Sequence, residues 1–218
     1  MIRTIWAVGR NYLEHIKELG NTAPVSTTGE ERGEPLIFAK AGGCVVANGR
    51  MLRYPSFSKD VHHETELAVR LKIEGDGRAS FDAFTVALDL TCRDLQNTLK
   101  TKGQPWELAK SFVDACPLGD WVPVSRLGRS SSDENFEALQ NLQLCLRVNG
   151  EERQRGTTAD MIFKVRELCD YLVSRFPVQD GDVLLTGTPA GVGPIAPGDV
   201  LEAEIVGFTR ANWGVRTP

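Results

Sequence analysis

Between positions 64 and 73 the chain alternates polar and apolar character residue by residue. Thr65, Leu67, Val69, Leu71 and Ile73 fall on one side, and Glu64, Glu66, Ala68, Arg70 and Lys72 on the other. A period of two belongs to a β-strand with one apolar face. Residues 85–91 are more uniformly apolar and predict a second strand; 93–102 then reads as a helix ending at Gly103, with Asp89 just ahead of the junction. Residues 142–157 predict a hairpin, because Asn149-Gly150 tolerates the positive φ angles of a type I′ turn. The longest helical pattern is 160–176, with Ile162, Val165, Leu168, Cys169 and Leu172 on one side. Two similar turns, Gln179-Asp180-Gly181-Asp182 and Ala196-Pro197-Gly198-Asp199, lead into strands at 183–186 and 200–206. A short helix is predicted at 11–19, where Tyr12, Ile16 and Leu19 recur at helical spacing before Gly20. With the Gly-, Ser-, Thr- and Pro-rich stretch that follows, it makes a candidate lid over 11–35. The polar stretch 128–140 reads as a surface excursion. No internal repeat is visible, and the balance is α+β and β-rich rather than a regular strand–helix alternation.

A length of 218 residues with 41% hydrophobic content fits one domain with a real core. The net charge of −4 comes from interspersed charges without a basic block, which argues against a nucleic-acid partner. No apolar run approaches the roughly 20 residues that a membrane-spanning helix needs. The first six residues lack the layout of a signal peptide, so a cytoplasmic location is the default. The five cysteines are odd in number and form no C-x-x-C pair, and they read as reduced core thiols.

Candidate chemistry gathers around the acidic strand. Glu64 and Glu66, one residue apart, project their carboxylates from the same face about 7 Å apart along the chain. A hard cation, Mg²⁺ or Mn²⁺, would turn their repulsion into binding; a solvated strand face would display the same pair. Asp89 tilts the balance, since a carboxylate in Ala87-Leu88-Asp89-Leu90 is costly to bury without a partner, although an acid opening a helix is the alternative. His15 and Glu18, three apart on the first helix, form a possible general-base dyad or a plain surface pair. Arg93 and Gln96 share a helix face, and Lys110 is a lone cation in a small, apolar stretch; beside a bound carboxylate substrate they would supply donors. The Gly-rich turn Leu185-Thr186-Gly187-Thr188-Pro189-Ala190-Gly191-Val192-Gly193 lacks a phosphate-loop lysine, but its backbone N–H groups and Thr188 suit a small carboxylate. His62 and His63 carry no assignment.

Together these residues resemble the fumarylacetoacetate hydrolase family, in particular its short acylpyruvate hydrolase branch. The matching pieces are Val8-Gly9-Arg10-Asn11-Tyr12 with His15 and Glu18, His63-Glu64-Thr65-Glu66-Leu67-Ala68, Ala87-Leu88-Asp89-Leu90-Thr91-Cys92-Arg93-Asp94-Leu95-Gln96, Gly103-Gln104-Pro105-Trp106, Ala109-Lys110-Ser111-Phe112, Gly156-Thr157-Thr158-Ala159-Asp160 and Leu185-Thr186-Gly187-Thr188-Pro189. They run through nearly the whole chain. The resemblance implies a mixed, twisted β-roll with peripheral short helices and a homodimer. It implies Glu64, Glu66 and Asp89 as ligands of Mg²⁺ or Mn²⁺, and His15, Glu18 and Lys110 as catalytic. Arg10, Asn11, Arg93, Gln96 and Thr188 are the implied substrate-binding positions. The expected reaction is hydrolytic C–C cleavage of a 3-acylpyruvate, a small 2-oxo carboxylate such as acetylpyruvate or fumarylpyruvate, to pyruvate and a carboxylic acid. His15, steered by Glu18, would activate water. Oxaloacetate decarboxylation or keto–enol tautomerisation is the alternative, and a catalytically silent metal- or ligand-binding β protein a remote one.

Overall fold

The computed structural model describes residues 2–20 and 33–218. Its centre is the hairpin of Thr65–Ile73 and Ala79–Leu88, paired antiparallel with Glu66 opposite Ala87 and Leu67 opposite Val86. The second strand begins six residues before the sequence pattern suggests, because 79–84 must pair with the far half of Thr65–Ile73; it also ends sooner, at Leu88, leaving Asp89 and Leu90 outside the ladder. Around this hairpin the large sheet runs in the order Leu36–Ala41, Thr4–Gly9, Val183–Leu185, Thr65–Ile73, Ala79–Leu88, Cys116–Leu118, Val45–Ala47, with Val122–Pro123 also on Ala79–Leu88. Thr4–Gly9 pairs parallel with Val183–Leu185 and antiparallel with Leu36–Ala41, so the sheet is mixed, as expected.

A second sheet, ordered Glu151–Thr157, Gln143–Val148, Val200–Ile205, Thr209–Arg216, Met51–Arg53, packs against the central hairpin. Its first two strands form the predicted hairpin, with Asn149 at φ 55° and Gly150 at φ 83°. Three short strands, Gly193–Ile195, Val61–His63 and Thr91–Cys92, make a third sheet. With sheets stacked on it, Thr65–Ile73 buries both of its faces at its start: Thr65 and Leu67 are inaccessible on one side and Glu66 is 2% exposed on the other. The alternation read from the sequence is real, but its polar side meets solvent only from Arg70 onward.

The helices are peripheral. Leu13–Glu18 buries His15 and Ile16, and Arg93–Thr101 ends before Gly103 at φ 62°. The pattern at 160–176 resolves into a 3₁₀ turn, Thr158–Asp160, and the helix Val165–Arg175. The stretch 128–140 is a correction: it contains the helix Ser132–Leu139, opened by a Ser131/Glu134 capping box and docked through buried Phe136 and Leu139. Part of the candidate lid, residues 21–32, lies outside the described residues. All five cysteines are buried and unbridged, and no helix among the described residues is long and apolar enough to cross a membrane.

Candidate active site

The end of the central hairpin assembles the acids. Glu64 immediately precedes the strand Thr65–Ile73, Asp89 immediately follows Ala79–Leu88, and the Asp89 N–H donates to the Glu64 carbonyl at 2.8 Å. That bond fixes the two residues side by side, and Glu66 lies one strand step farther on. The three carboxylates are buried, with oxygens within 4.8 Å of one another.

Three buried cations answer two of the three acids. Lys110, at the end of the single-turn helix Glu107–Lys110, donates to Glu64 Oε2 at 2.9 Å and Asp89 Oδ2 at 2.6 Å. Arg93 donates through Nη2 to Glu64 and through Nη1 to Gln96 Oε1. Lys40 donates to Asp89 Oδ1 at 2.5 Å and to the Leu90 carbonyl at 3.1 Å. Burial alone would raise the Glu64 pKa, but Lys110 and Arg93 overcome it and hold this carboxyl well below the usual range. Burial alone would lower the Lys110 pKa, yet Asp89 and Glu64 overcome this and raise it above its ordinary value. Glu66 differs. Its Oε2 accepts the Gly187 N–H at 2.6 Å, and among the described residues it makes no ion pair. Burial, Asp89 and Glu64 together push its pKa well up.

A buried carboxyl without an ion pair, beside two that are ion-paired, is a site short of one cation. Three hard oxygen donors suit Mg²⁺ or Mn²⁺, so Glu64, Glu66 and Asp89 fit a divalent ion by the chemistry of the donor set. A cation held there would offset the repulsion from Asp89 and Glu64 that raises the Glu66 pKa, and so would favour release of the Glu66 proton.

The acids open into a cleft whose wall includes Arg10, His15, Arg93, Gln96, Lys110 and Thr188. His15 Nδ1 lies 3.4 Å from Glu18 Oε2, leaving Nε2 for proton transfer. Burial lowers the His15 pKa against the opposing pull of Glu64 and Glu18, so the imidazole is neutral at pH 7. Glu18 is itself held by the Gly191 N–H, at 3.1 and 3.2 Å from its two oxygens. Two backbone N–H groups of the Gly-rich turn, those of Gly187 and Gly191, therefore grip the protein's own carboxylates, Glu66 and Glu18. Gly187 has no alternative: φ is 92°, and a Cβ there would lie 2.7 Å from that of Asn11.

Asn11 is not among the residues lining the cleft; its amide donates to the Phe163 and Thr186 carbonyls and accepts the Phe163 N–H, so it clips three backbone segments together. Sequence reasoning passed over Lys40 and Gln154. Lys40 carries the same signature that exposed Lys110, a single lysine among Phe38, Ala39 and Ala41, and its inward strand face is shared with Phe38, which lines the cleft. Gln154 left no such trace. It accepts from the Thr65 N–H at 3.0 Å, lies 2.9 Å from His63 Nδ1 and donates to Thr188 Oγ1 at 2.8 Å, which makes His63 a support for the cleft wall.

Comparison with known proteins agrees with this architecture. The chain is 42% identical to the oxaloacetate tautomerase YcgM of Escherichia coli (strain K12), over 95% of this chain and 90% of that one. It is 37% identical to the mitochondrial oxaloacetate decarboxylase of Dictyostelium discoideum, over 94% and 90%. The structure superposes on a fumarylpyruvate hydrolase from Pseudomonas aeruginosa, solved in complex with Mn²⁺ and pyruvate, with a TM-score of 0.85 and 32% identity, covering 100% of this chain and 91% of that one. Residues 4–216 match the family described as fumarylacetoacetate (FAA) hydrolase C-terminal. A strand-rich roll with a buried acidic cluster at its central hairpin, matched over almost its full length, places this chain in the fumarylacetoacetate hydrolase family.

Proposed function

We propose that this protein is a metal-dependent enzyme that interconverts the keto and enol forms of oxaloacetate. The observation that carries this reading is the pairing, on one cleft, of a histidine kept neutral by burial with a lysine kept protonated by two carboxylates. Tautomerisation needs that combination, a base for the C3 proton and a donor for the oxygen on C2, and no attacking water. The names of the sequence relatives support oxaloacetate as substrate.

Glu64, Glu66 and Asp89 would hold the Mg²⁺ or Mn²⁺ ion, which when bound supplies Lewis-acid stabilisation of the charge that gathers on a 2-oxo acid losing a C3 proton. His15 Nε2 takes that proton while Glu18, anchored by Gly191, keeps the ring oriented. The C3–H electrons become the C2–C3 double bond. Gln96 donates a hydrogen bond toward the oxygen on C2, and Lys110 delivers the proton that completes the enol; Lys110 regains a proton from solvent as His15 releases the C3 proton to solvent, so no net proton is consumed. Arg93, braced by Glu64 and Gln96, presents a fixed guanidinium edge to the substrate's C1 carboxylate.

Hydrolysis of acylpyruvates is the second reading, favoured by the His15–Glu18 dyad, which is equally able to activate water, and by the likeness to a fumarylpyruvate hydrolase. One assay separates the readings: protein loaded with Mn²⁺ is given enol oxaloacetate, acetylpyruvate or fumarylpyruvate, and enol absorbance and pyruvate release are followed. Accelerated loss of the oxaloacetate enol without pyruvate is the expected result. Pyruvate from oxaloacetate makes the enzyme a decarboxylase. Pyruvate from the acylpyruvates, with oxaloacetate relaxing at its uncatalysed rate, overturns the proposal in favour of hydrolysis.

A further inference from the structure

The charges around the cleft leave one lysine over. Lys40, Lys110 and Arg93 are all committed to Glu64 and Asp89. Lys100, on the helix Arg93–Thr101, also lines the cleft, is half-buried, and makes no ion pair among the described residues. Its ammonium rests 5.4 Å from the centroid of the Trp106 ring, another cleft residue, which supplies a negative face but no charge. Arg10 lines the cleft as well and holds its backbone in the left-handed region at φ 59°, a conformation costing about 1 kcal/mol or more that persists where the surroundings impose it. Burial, with Arg93 and Arg10 nearby, pushes the Lys100 pKa down to about 8. A cation brought into a cleft with no carboxylate partner among the described residues is a receptor for an anion from outside.

We infer that Lys100, seated on Trp106 and flanked by Arg10, forms a second anion subsite that binds the substrate carboxylate remote from the 2-oxo acid end, making the enzyme selective for dicarboxylates. The inference rests on the proposed function in taking a 2-oxo acid as ligand, and it adds a reason for the choice among 2-oxo acids. Oxaloacetate has the remote carboxylate; pyruvate, with the same 2-oxo acid end, lacks it. The Trp106 ring is preorganised for the ammonium, so Lys100 loses little freedom when the anion arrives. Arginine at this position keeps both the charge and the ring contact, whereas glutamine keeps neither.

The test is calorimetric titration of the Mn²⁺-loaded protein and its Lys100→Gln and Lys100→Arg variants with freshly dissolved oxaloacetate and with pyruvate. Wild type is expected to bind oxaloacetate at least tenfold more tightly than pyruvate. Lys100→Gln should weaken oxaloacetate about tenfold and pyruvate less than twofold, and Lys100→Arg should restore most of the difference. Equal weakening of both ligands, an unchanged oxaloacetate Kd, or a wild type that does not distinguish the two would overturn the subsite. A wild type that binds oxaloacetate selectively through Lys100 but does not tautomerise it would instead sink the proposed reaction and leave the subsite standing.

Discussion

Glu64 and Glu66 stand one residue apart, yet their environments set them opposite tasks. Glu64 is ionised and clamped by Arg93 and Lys110, while Glu66 is pushed toward its protonated form by burial and by its two acidic neighbours. Glu66→Gln should therefore leave the metal-free protein within about 1 kcal/mol of wild-type stability, because a neutral amide replaces a neutral acid and still accepts from Gly187. The same substitution should abolish Mn²⁺ binding by calorimetry. Glu64→Gln removes the partner of a buried guanidinium and should destabilise the metal-free protein by about 3 kcal/mol in denaturant titration. Two isosteric changes in one strand thus part company in stability while agreeing in metal loss. At His15 the argument concerns pH. The base works when neutral, and burial lowers its folded pKa below the ordinary 6.5, so activity should persist into mild acid and fall only as pH drops through that lowered value. Glu18 raises the His15 pKa by hydrogen bond and by charge. Glu18→Gln should accordingly move the acid limb of the pH–rate profile to lower pH as well as reducing the maximal rate. A limb that moves toward higher pH would contradict the assignment of Glu18 as the residue positioning His15.

Among elements, those that build the site were legible where a local rule and a tertiary demand coincide. The alternation at 64–73 predicted a strand because its apolar face really is core, and Gly103 marked the end of a helix because only its left-handed backbone follows. Lys110 and Asp89 stood out as charges set in apolar runs. The strand Leu36–Ala41, which delivers Lys40, leaves little trace of its facing: five of its six residues are only partly buried or exposed, and its run Leu-Ile-Phe-Ala-Lys-Ala is apolar throughout except for the buried Lys40, so no alternation marks an inner side. Gln154 was illegible for another reason: its role exists only because the segments around Thr65 and Thr188, far from it in sequence, meet at its side chain. Inside the stretch that reads as a surface excursion, the helix Ser132–Leu139 is hard to see because polar residues outnumber the two that anchor it, although Ser131 and Glu134 stand at the spacing of a capping box. That box gives an element-scale prediction. Ser131→Ala should cost about 1 kcal/mol of stability in thermal unfolding and leave turnover unchanged, since the helix lies away from the cleft. A loss of turnover would mean that this helix reaches the site through contacts beyond its own docking.

For the molecule as a whole, the decisive property of the acidic cluster is where its parts come from. Glu64 and Glu66 sit at the start of one strand, Asp89 at the end of the next, Lys40 arrives from an outer strand of the large sheet, and the N–H that holds Glu66 comes from Gly187, 121 residues away. An unfolded chain has no such constellation and offers a divalent ion only scattered carboxylates. Binding should therefore count almost entirely as folding free energy, following RT ln(1 + [L]/Kd) for a ligand that recognises the native state alone. At a Mn²⁺ concentration one hundred times its Kd the expected stabilisation is about 2.7 kcal/mol. For a chain of this length that raises Tm by about 5–10 °C. Differential scanning fluorimetry with Mn²⁺, and again after chelation, measures the rise and its reversal, and the Glu66→Gln variant supplies the control in which neither should occur. The same titration with Ca²⁺ asks how much the cluster demands of its ion. Glu64 and Asp89 are pinned by Lys40, Lys110 and Arg93, and that rigidity favours the smaller cations over one that needs six to eight oxygens at longer range. A Ca²⁺ shift equal to that of Mn²⁺ would mean that these lysines and the arginine yield when an ion enters, and that the acids are held less firmly than their hydrogen bonds suggest.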